Sequence, residues 1–390
     1  MKTSIFVLVA SLLAASALAV MPATDQFVPA LAHAGGFGDA QWRGDVWIYN
    51  PAADRPATVD IYLLLRQPNP SPVSQRITVN PGETRYLEDV IGAGLFGLTD
   101  AAGGIRVVSS SPVVMTARSY NANVTTSKGT ATSGQFFGGV PAAIAVGAGD
   151  ATDVIGLDQD PSGTAVGFRS NLALVETTGN PVSFAIDRLD PDGTVVGTLA
   201  CDGSSTCAPL GPWEVRQLDL VLTKFSPPSG ANQRLRIRIT GGNGRLIAAG
   251  SRIDNITGDP STVEMAGGGR VGTYVCKLER TDYESPLTLT VDQGAVTALD
   301  ATILFTDADV TGCSSFQVLR LNGPLATPVA YDAAGNFNFV ASNASLGATL
   351  QVNGTIAVTG ALSGNATVTI TGVPGCSGTK SWPLAGSRLP

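Results

Sequence analysis

Trp42-Arg43-Gly44-Asp45-Val46-Trp47-Ile48-Tyr49-Asn50 reads as one β-strand. Trp42, Gly44, Val46 and Ile48 fall on one side and Arg43, Asp45, Trp47 and Tyr49 on the other, the period of two that an extended backbone imposes. The stretch returns downstream as Phe168-Arg169-Ser170-Asn171-Leu172-Ala173-Leu174-Val175-Glu176. Two later segments return in the same order. Pro81-Gly82-Glu83-Thr84-Arg85-Tyr86-Leu87 answers to Gly211-Pro212-Trp213-Glu214-Val215-Arg216-Gln217-Leu218, and Ala117-Arg118-Ser119-Tyr120-Asn121 to Ser251-Arg252-Ile253-Asp254-Asn255. The spacing grows slowly from Arg43–Arg169 to Glu83–Glu214 to Arg118–Arg252, as expected when loops lengthen while strands keep their order. The repeat divides this part of the chain into two homologous units, 24–140 and 141–267.

Within these units Thr58 to Leu65, Ile105 to Val108, Val113 to Ala117 and the alternating Arg234-Leu235-Arg236-Ile237-Arg238-Ile239 are further strands. Asp190-Pro191-Asp192-Gly193 has hairpin-turn chemistry, and Leu87 to Phe96 is expected to form one short helical turn. With 46 Gly, 24 Pro, 14% charged and 44% hydrophobic residues in 390, the chain is too apolar for a disordered polymer and too weakly charged for a coiled coil. The expected fold is all-β: two tandem antiparallel β-sandwiches of immunoglobulin-like size. After the hinge Gly267-Gly268-Gly269 the character changes. Leu287 to Val291, Ala301 to Thr306, Phe337 to Val340, Thr355 to Val358 and Ala366 to Thr371, each ended by Gly, Asn or Asp, predict a small meander or barrel over 270–390 with its own core.

The Trp/Phe-Arg-x-Asp/Asn-Leu/Val strand, the Pro-Gly-Glu turn, Leu95-Phe96-Gly97 and the Arg-Ser-Tyr-Asn strand together resemble a paired β-module found in exported proteins of environmental bacteria. The tail, with Gly272-Thr273-Tyr274, Phe305, Cys313, Cys376 and Trp382, is similar to small β-domains of the same kind of protein. The resemblance implies architecture; it carries no catalytic residues and no assigned activity.

Residues 1–19 have the form of an export signal: Lys2, an apolar run from Ile5 to Leu13, then Ala17-Leu18-Ala19 as the cleavage pattern. No later segment has the length of a membrane span. Export makes disulfides the expected state of the cysteines. Cys201 and Cys207 flank a polar turn and are expected to bridge locally. Cys313 with Cys376 is the expected second pair, leaving Cys276 as a buried free thiol.

A net charge of −7 argues against nucleic acid as a partner. His33 is the single histidine, which removes most imidazole chemistry, and neither metal nor cofactor is expected. His33 sits beside a Gly-rich loop with no nucleophile elbow, and reads as a surface or interface residue. Among carboxylates, Asp45, Glu83, Glu88, Asp89, Asp158 and Asp160 are those that could hydrolyse glycosides in pairs. Glu83 and Glu214, however, occupy one repeat position beside Arg85 and Arg216, which points to turn carboxylates held by cross-strand arginines. The acidic loops Asp158–Asp160, Asp190–Asp192 and Asp307–Asp309 lack EF-hand spacing. Arg43-Gly44-Asp45 lies on a strand rather than a loop tip, and Arg234, Arg236 and Arg238 read as a solvated face offset by acids. Trp47 and Tyr49 stand out because their repeat counterparts are Ala173 and Val175, so the fold does not require aromatics there. They are the candidate binding residues, for a polysaccharide or a surface protein. The preferred reading is an exported, non-catalytic modular β protein with a binding or structural role outside the cell; the alternative is a secreted hydrolase of polysaccharide or peptide.

Overall fold

The computed structural model describes residues 21–389 except 37, 205–206, 267–269, 271, 281–284, 293–294, 307–308, 311–316, 333–334 and 358–359. The export signal, the triple-glycine hinge and Cys313 therefore lie outside the described residues. The rest is nearly all antiparallel β-sheet. No helix among the described residues is long and apolar enough to cross a membrane.

The first unit comprises β1 (Ala23–Gly35), β2 (Gln41–Tyr49), β3 (Ala57–Leu65), β4 (Ser74–Val79), β5 (Thr84–Leu87), β6 (Ala101–Thr126), β7 (Gly129–Gly138) and β8 (Val140–Pro141). The long β6 serves two layers. Its first half lies between β3 and β1, and its second half, from Val114, lies between β2 and β7. The layers are thus β4-β3-β6-β1 and β5-β2-β6-β7. Period-two side chains fill the space between them, with Val46, Ile48, Ile61, Leu63, Ile105, Val107 and Met115 fully buried.

The second unit comprises β9 (Ala151–Gln159), β10 (Phe168–Glu176), β11 (Val182–Leu189), β12 (Val195–Cys201), β13 (Val215–Leu218), β14 (Gly230–Gly242), β15 (Leu246–Asp254) and β16 (Pro260–Glu264). Its two sheets run β12-β11-β14-β9 and β13-β10-β15-β16. Strand for strand this is the order of the first unit, with β14 and β15 in the places of the two halves of β6. Short 3₁₀ turns occur at Ala142–Ile144 and Val221–Lys224.

The register corrects part of the sequence alignment. Arg43 lies opposite Tyr120 and Arg169 opposite Ile253, so Arg118 corresponds to Ser251 and not to Arg252. A one-residue slip changes the face of the sheet. Arg118 accordingly lies on the outer face, whereas Arg252 turns inward to Asp158, 2.5 Å away. Residues 88–96 form a run of wide turns, closed by bonds such as Gly97 N–H to the Gly92 carbonyl, rather than a helical turn. Glu83 and Glu214 do close equivalent turns, accepting from the backbone N–H of Asn80 (2.7 Å) and Gly211 (2.8 Å). Their arginines lie two residues further on, in the strand that follows each turn, and not on a strand across from it.

The remaining strands are β17 (Gly272–Leu278), β18 (Pro286–Asp292), β19 (Ala295–Phe305), β20 (Gln317–Ala330), β21 (Asn336–Asn343), β22 (Ala348–Ile356), β23 (Ala361–Val373) and β24 (Cys376–Arg388). They form one meander, β20-β19-β18-β17-β24-β23-β22-β21, around a hydrophobic cluster drawn from its own residues. Its two edges meet where the Asn343 amide donates to the Arg320 carbonyl at 3.0 Å. Arg270 ties the meander to the second unit: its guanidinium donates to Asp150 Oδ1 (2.6 Å) and to the Ile356 carbonyl (2.5 Å).

Cys201 and Cys207 form a disulfide. Cys376 is also disulfide-bonded, while its expected partner Cys313 lies outside the described residues. Cys276 is free and buried in β17, and desolvation pushes its thiol up to about 12.

Candidate binding surface

The two units stack so that four sheets succeed one another. The outer face of β13-β10-β15-β16 lies on the outer face of β4-β3-β6-β1. Phe27 and Leu64 of the first unit belong to the core of the second, and Ala249 of the second belongs to the core of the first. Arg66 donates to Gln217 Oε1 (2.5 Å) and the Gln135 amide donates to Ser251 (2.5 Å) across the junction. Ala173 and Ala249 are small because they are covered, at 6% and 5% exposure. At one end the junction opens into a cleft of about 630 Å³ of mixed lining, with Trp42, Leu31, Phe137, Arg66, Gln135 and Arg169 among its walls. His33, Asp45 and Asp89 are not part of it.

The corresponding face of the first unit, on β5-β2-β6-β7, is free. Trp47 lies opposite Tyr86 in the ladder, and their rings stack with centroids 5.0 Å apart and planes 21° apart. Rings side by side in one plane cannot approach so closely, so Tyr86 overlaps a face of the indole. Phe136 of β7 flanks Trp47 from the opposite side, its centroid 6.1 Å away. Trp47 is thereby half-buried, and the exposed aromatics are Phe136 (61%), Tyr86 (46%) and Tyr49 (39%). The Arg118 guanidinium lies 4.6 Å from the Tyr120 ring centroid and 6.0 Å from that of Phe136, and is held by Thr132 Oγ1 at 2.9 Å. Of the sequence candidates, Tyr49 is exposed and Trp47 is the centre of a cluster rather than a bare platform. Tyr86, Phe136, Arg118 and Tyr120 carry no such signal in the sequence, because only the ladder brings β5, β6 and β7 beside β2.

Beneath the aromatics lies Asp45, 5% exposed. It accepts from the hydroxyls of Tyr86 (3.0 Å) and Tyr120 (3.3 Å) and from the Asp89 backbone N–H (2.9 Å). Burial and this carboxylate push the Tyr86 phenol up to about 12, and raise that of Tyr120. Arg43-Gly44-Asp45 is thus not presented to solvent as a recognition tripeptide. Asp89 itself has a left-handed backbone (φ 46°) and bonds His33 Nδ1 at 2.7 Å, with Arg43 Nε 3.9 Å away. A Cβ on Gly92 would fall 2.2 Å from both His33 Nδ1 and Asp89 Oδ2, so only glycine lets the turn close over this pair.

Other candidates have structural partners. Asp158 bonds the Asn232 backbone N–H (2.6 Å), Asp160 caps its own turn through Ser162 (2.8 Å), and Asp192 does so through Thr194 (2.9 Å). No three His, Cys, Asp or Glu side chains gather as metal ligands among the described residues. Arg236 pairs with Asp153 and Arg238 with Asp187, at 2.9 and 2.5 Å, on the outer face of β12-β11-β14-β9.

No family model and no curated protein matches the chain. A solved structure described as the crystal structure of Thermotoga maritima 1070 shares 19% identity, covering 30% of this chain and 93% of its own, with a TM-score of 0.23. At that score the likeness carries no argument about fold or function.

Proposed function

We propose that this is an exported, non-catalytic component of the cell surface or extracellular space. In this reading two tandem immunoglobulin-like sandwiches and a small barrel present the outer face of β5-β2-β6-β7 as a binding surface. One observation carries the reading: a face whose counterpart in the second unit is covered and lined by Ala173 and Ala249 is, in the first unit, exposed and built from Trp47, Tyr86 and Phe136 beside Arg118. Internal packing gives no reason for large aromatics there, and Trp, Tyr and Arg are the side chains that dominate binding surfaces. Since Trp47 already has Tyr86 and Phe136 on its flanks, the cluster suits anchoring of a protein partner better than flat stacking of a sugar ring. Binding assays on insoluble polysaccharides and on immobilised protein test the reading. The double variant Tyr49→Ala/Phe136→Ala, at the two exposed aromatics that bond no buried group, is expected to lose roughly tenfold or more in affinity, at an almost unchanged melting temperature. Unchanged binding to every partner the wild type retains would remove this face from the function.

The His33–Asp89 contact supports a second reading, a hydrolase in which Asp89 orients His33 as a base. Turnover on a glycan or peptide panel that disappears in His33→Ala would replace the binding reading with this one.

A further inference from the structure

The four-sheet stack has two free faces, and each is the counterpart of one that is covered inside the chain. The aromatic face of β5-β2-β6-β7 corresponds to that of β13-β10-β15-β16, which docks. The face of β12-β11-β14-β9 corresponds to that of β4-β3-β6-β1, which receives it.

The receiving chemistry is also repeated. On the covered face Arg106 makes two bonds to Asp25, at 2.9 and 2.6 Å, and keeps a guanidinium face for the ring of Trp213, whose centroid is 4.3 Å away in the other unit. On the free face Arg236 makes two bonds to Asp153, at 2.9 and 3.1 Å. Each arginine lies on the corresponding strand, β6 or β14, and its aspartate on the corresponding neighbour, β1 or β9, although Arg106 lies opposite Phe27 and Arg236 directly opposite Asp153. Arg236 and Arg238 remain 41% and 44% exposed, so their flat faces are open to an aromatic partner. The free aromatic face offers Phe136 and Tyr86 for that contact.

We infer that the partner of the aromatic face is a second copy of this chain, received on its Arg236–Arg238 face. Copies then stack end to end and continue the sheet order found within one chain. Such a contact joins two different surfaces, so it propagates as a linear array instead of closing as a two-fold dimer. This inference rests on the reading of the aromatic face as a binding surface.

Sedimentation velocity of the purified protein over a concentration series tests it. Phe136→Glu blocks one face and Arg236→Glu the other; Thr198→Lys, at an exposed position beside Asp187, replaces Arg236→Glu should that variant fail to fold. The wild type is expected to form a growing series of oligomers, and each variant alone to stay monomeric. An equimolar mixture of the two variants retains one intact junction and should stop at dimers. A wild type that stays monomeric throughout overturns the inference. Self-association retained by the Arg236 or Thr198 variant and lost in Phe136→Glu also overturns it, since that pattern means aromatic faces pair with each other. If the wild type is monomeric yet binds a polysaccharide in a Phe136-dependent way, the binding reading stands and the stacking fails alone.

Discussion

The guanidinium of Arg106 lies 4.3 Å from the ring centroid of Trp213, across the junction between the two units. Phe27 and Tyr62 flank the same arginine, each 5.6 Å away. Gly179 makes room for the indole, since a Cβ there would fall 2.7 Å from Trp213 Nε1. Trp213→Ala should therefore cost about 2–3 kcal/mol, from lost apolar burial and a lost cation–π contact. Chemical denaturation checks this; a change within experimental scatter would mean the junction is held elsewhere.

Arg270 and Asp150 are buried together, their side chains 4% and 2% exposed. Burial raises the Asp150 carboxyl against the pull of Arg270. Arg270→Leu leaves an unpaired buried carboxylate and should destabilise the chain by about 3–5 kcal/mol. Combining it with Asp150→Asn should restore much of that loss, because the desolvated charge is gone. Thermal melts of the single and double variants measure the difference.

Asp187 accepts from Arg238 Nε (2.5 Å) and from the Thr198 hydroxyl (2.7 Å), and these bonds hold its carboxyl below the ordinary 3.8. A depressed folded value means that the unfolded chain binds the proton first as pH falls. This contribution is complete above the ordinary carboxylate range and is lost as pH drops through the folded value. Stability should decline on acidification below about 4, and Asp187→Asn should flatten that part of the profile, as followed by melting temperature against pH.

Cys276 is buried and its thiol is pushed up to about 12, so a thiol reagent should label it only after unfolding. Reducing Cys201–Cys207 opens a short loop and should cost about 2 kcal/mol on the chain-entropy model. Peptide mapping with and without denaturant checks the labelling, and chemical denaturation of Cys201→Ala/Cys207→Ala against the wild type checks the cost. Labelling of Cys276 in the native protein would contradict its burial.

The all-β architecture was legible in the sequence because alternation and turn chemistry act over a few residues. Val46 and Ile48 are in the core and Tyr49 is outside, as period two requires. The disulfide between Cys201 and Cys207 was legible for the same local reason. Pairing register and face coverage are long-range quantities, and there the sequence misled or was silent. Arg118 and Arg252 share a motif yet point to opposite faces, since one residue of slip in a strand reverses every side chain. Glu83 and Glu214 do lie in turns, but their arginine partners sit in the strand that follows each turn and not on a strand across from it.

The candidate surface depended even more on tertiary structure. Trp47 was visible by comparison with Ala173, but Tyr86 and Phe136 reach it only through ladder neighbours far along the chain. His33 and Asp89, 56 residues apart, meet only because the turn over Gly92 folds back onto β1. By itself the sequence determined that the chain is all β and, in a strand such as β2, which residues turn to one side, because the backbone dictates alternation locally. Which of those sides becomes core, junction or free surface was decided only when the sheets stacked, because burial depends on what distant parts of the chain bring to cover it.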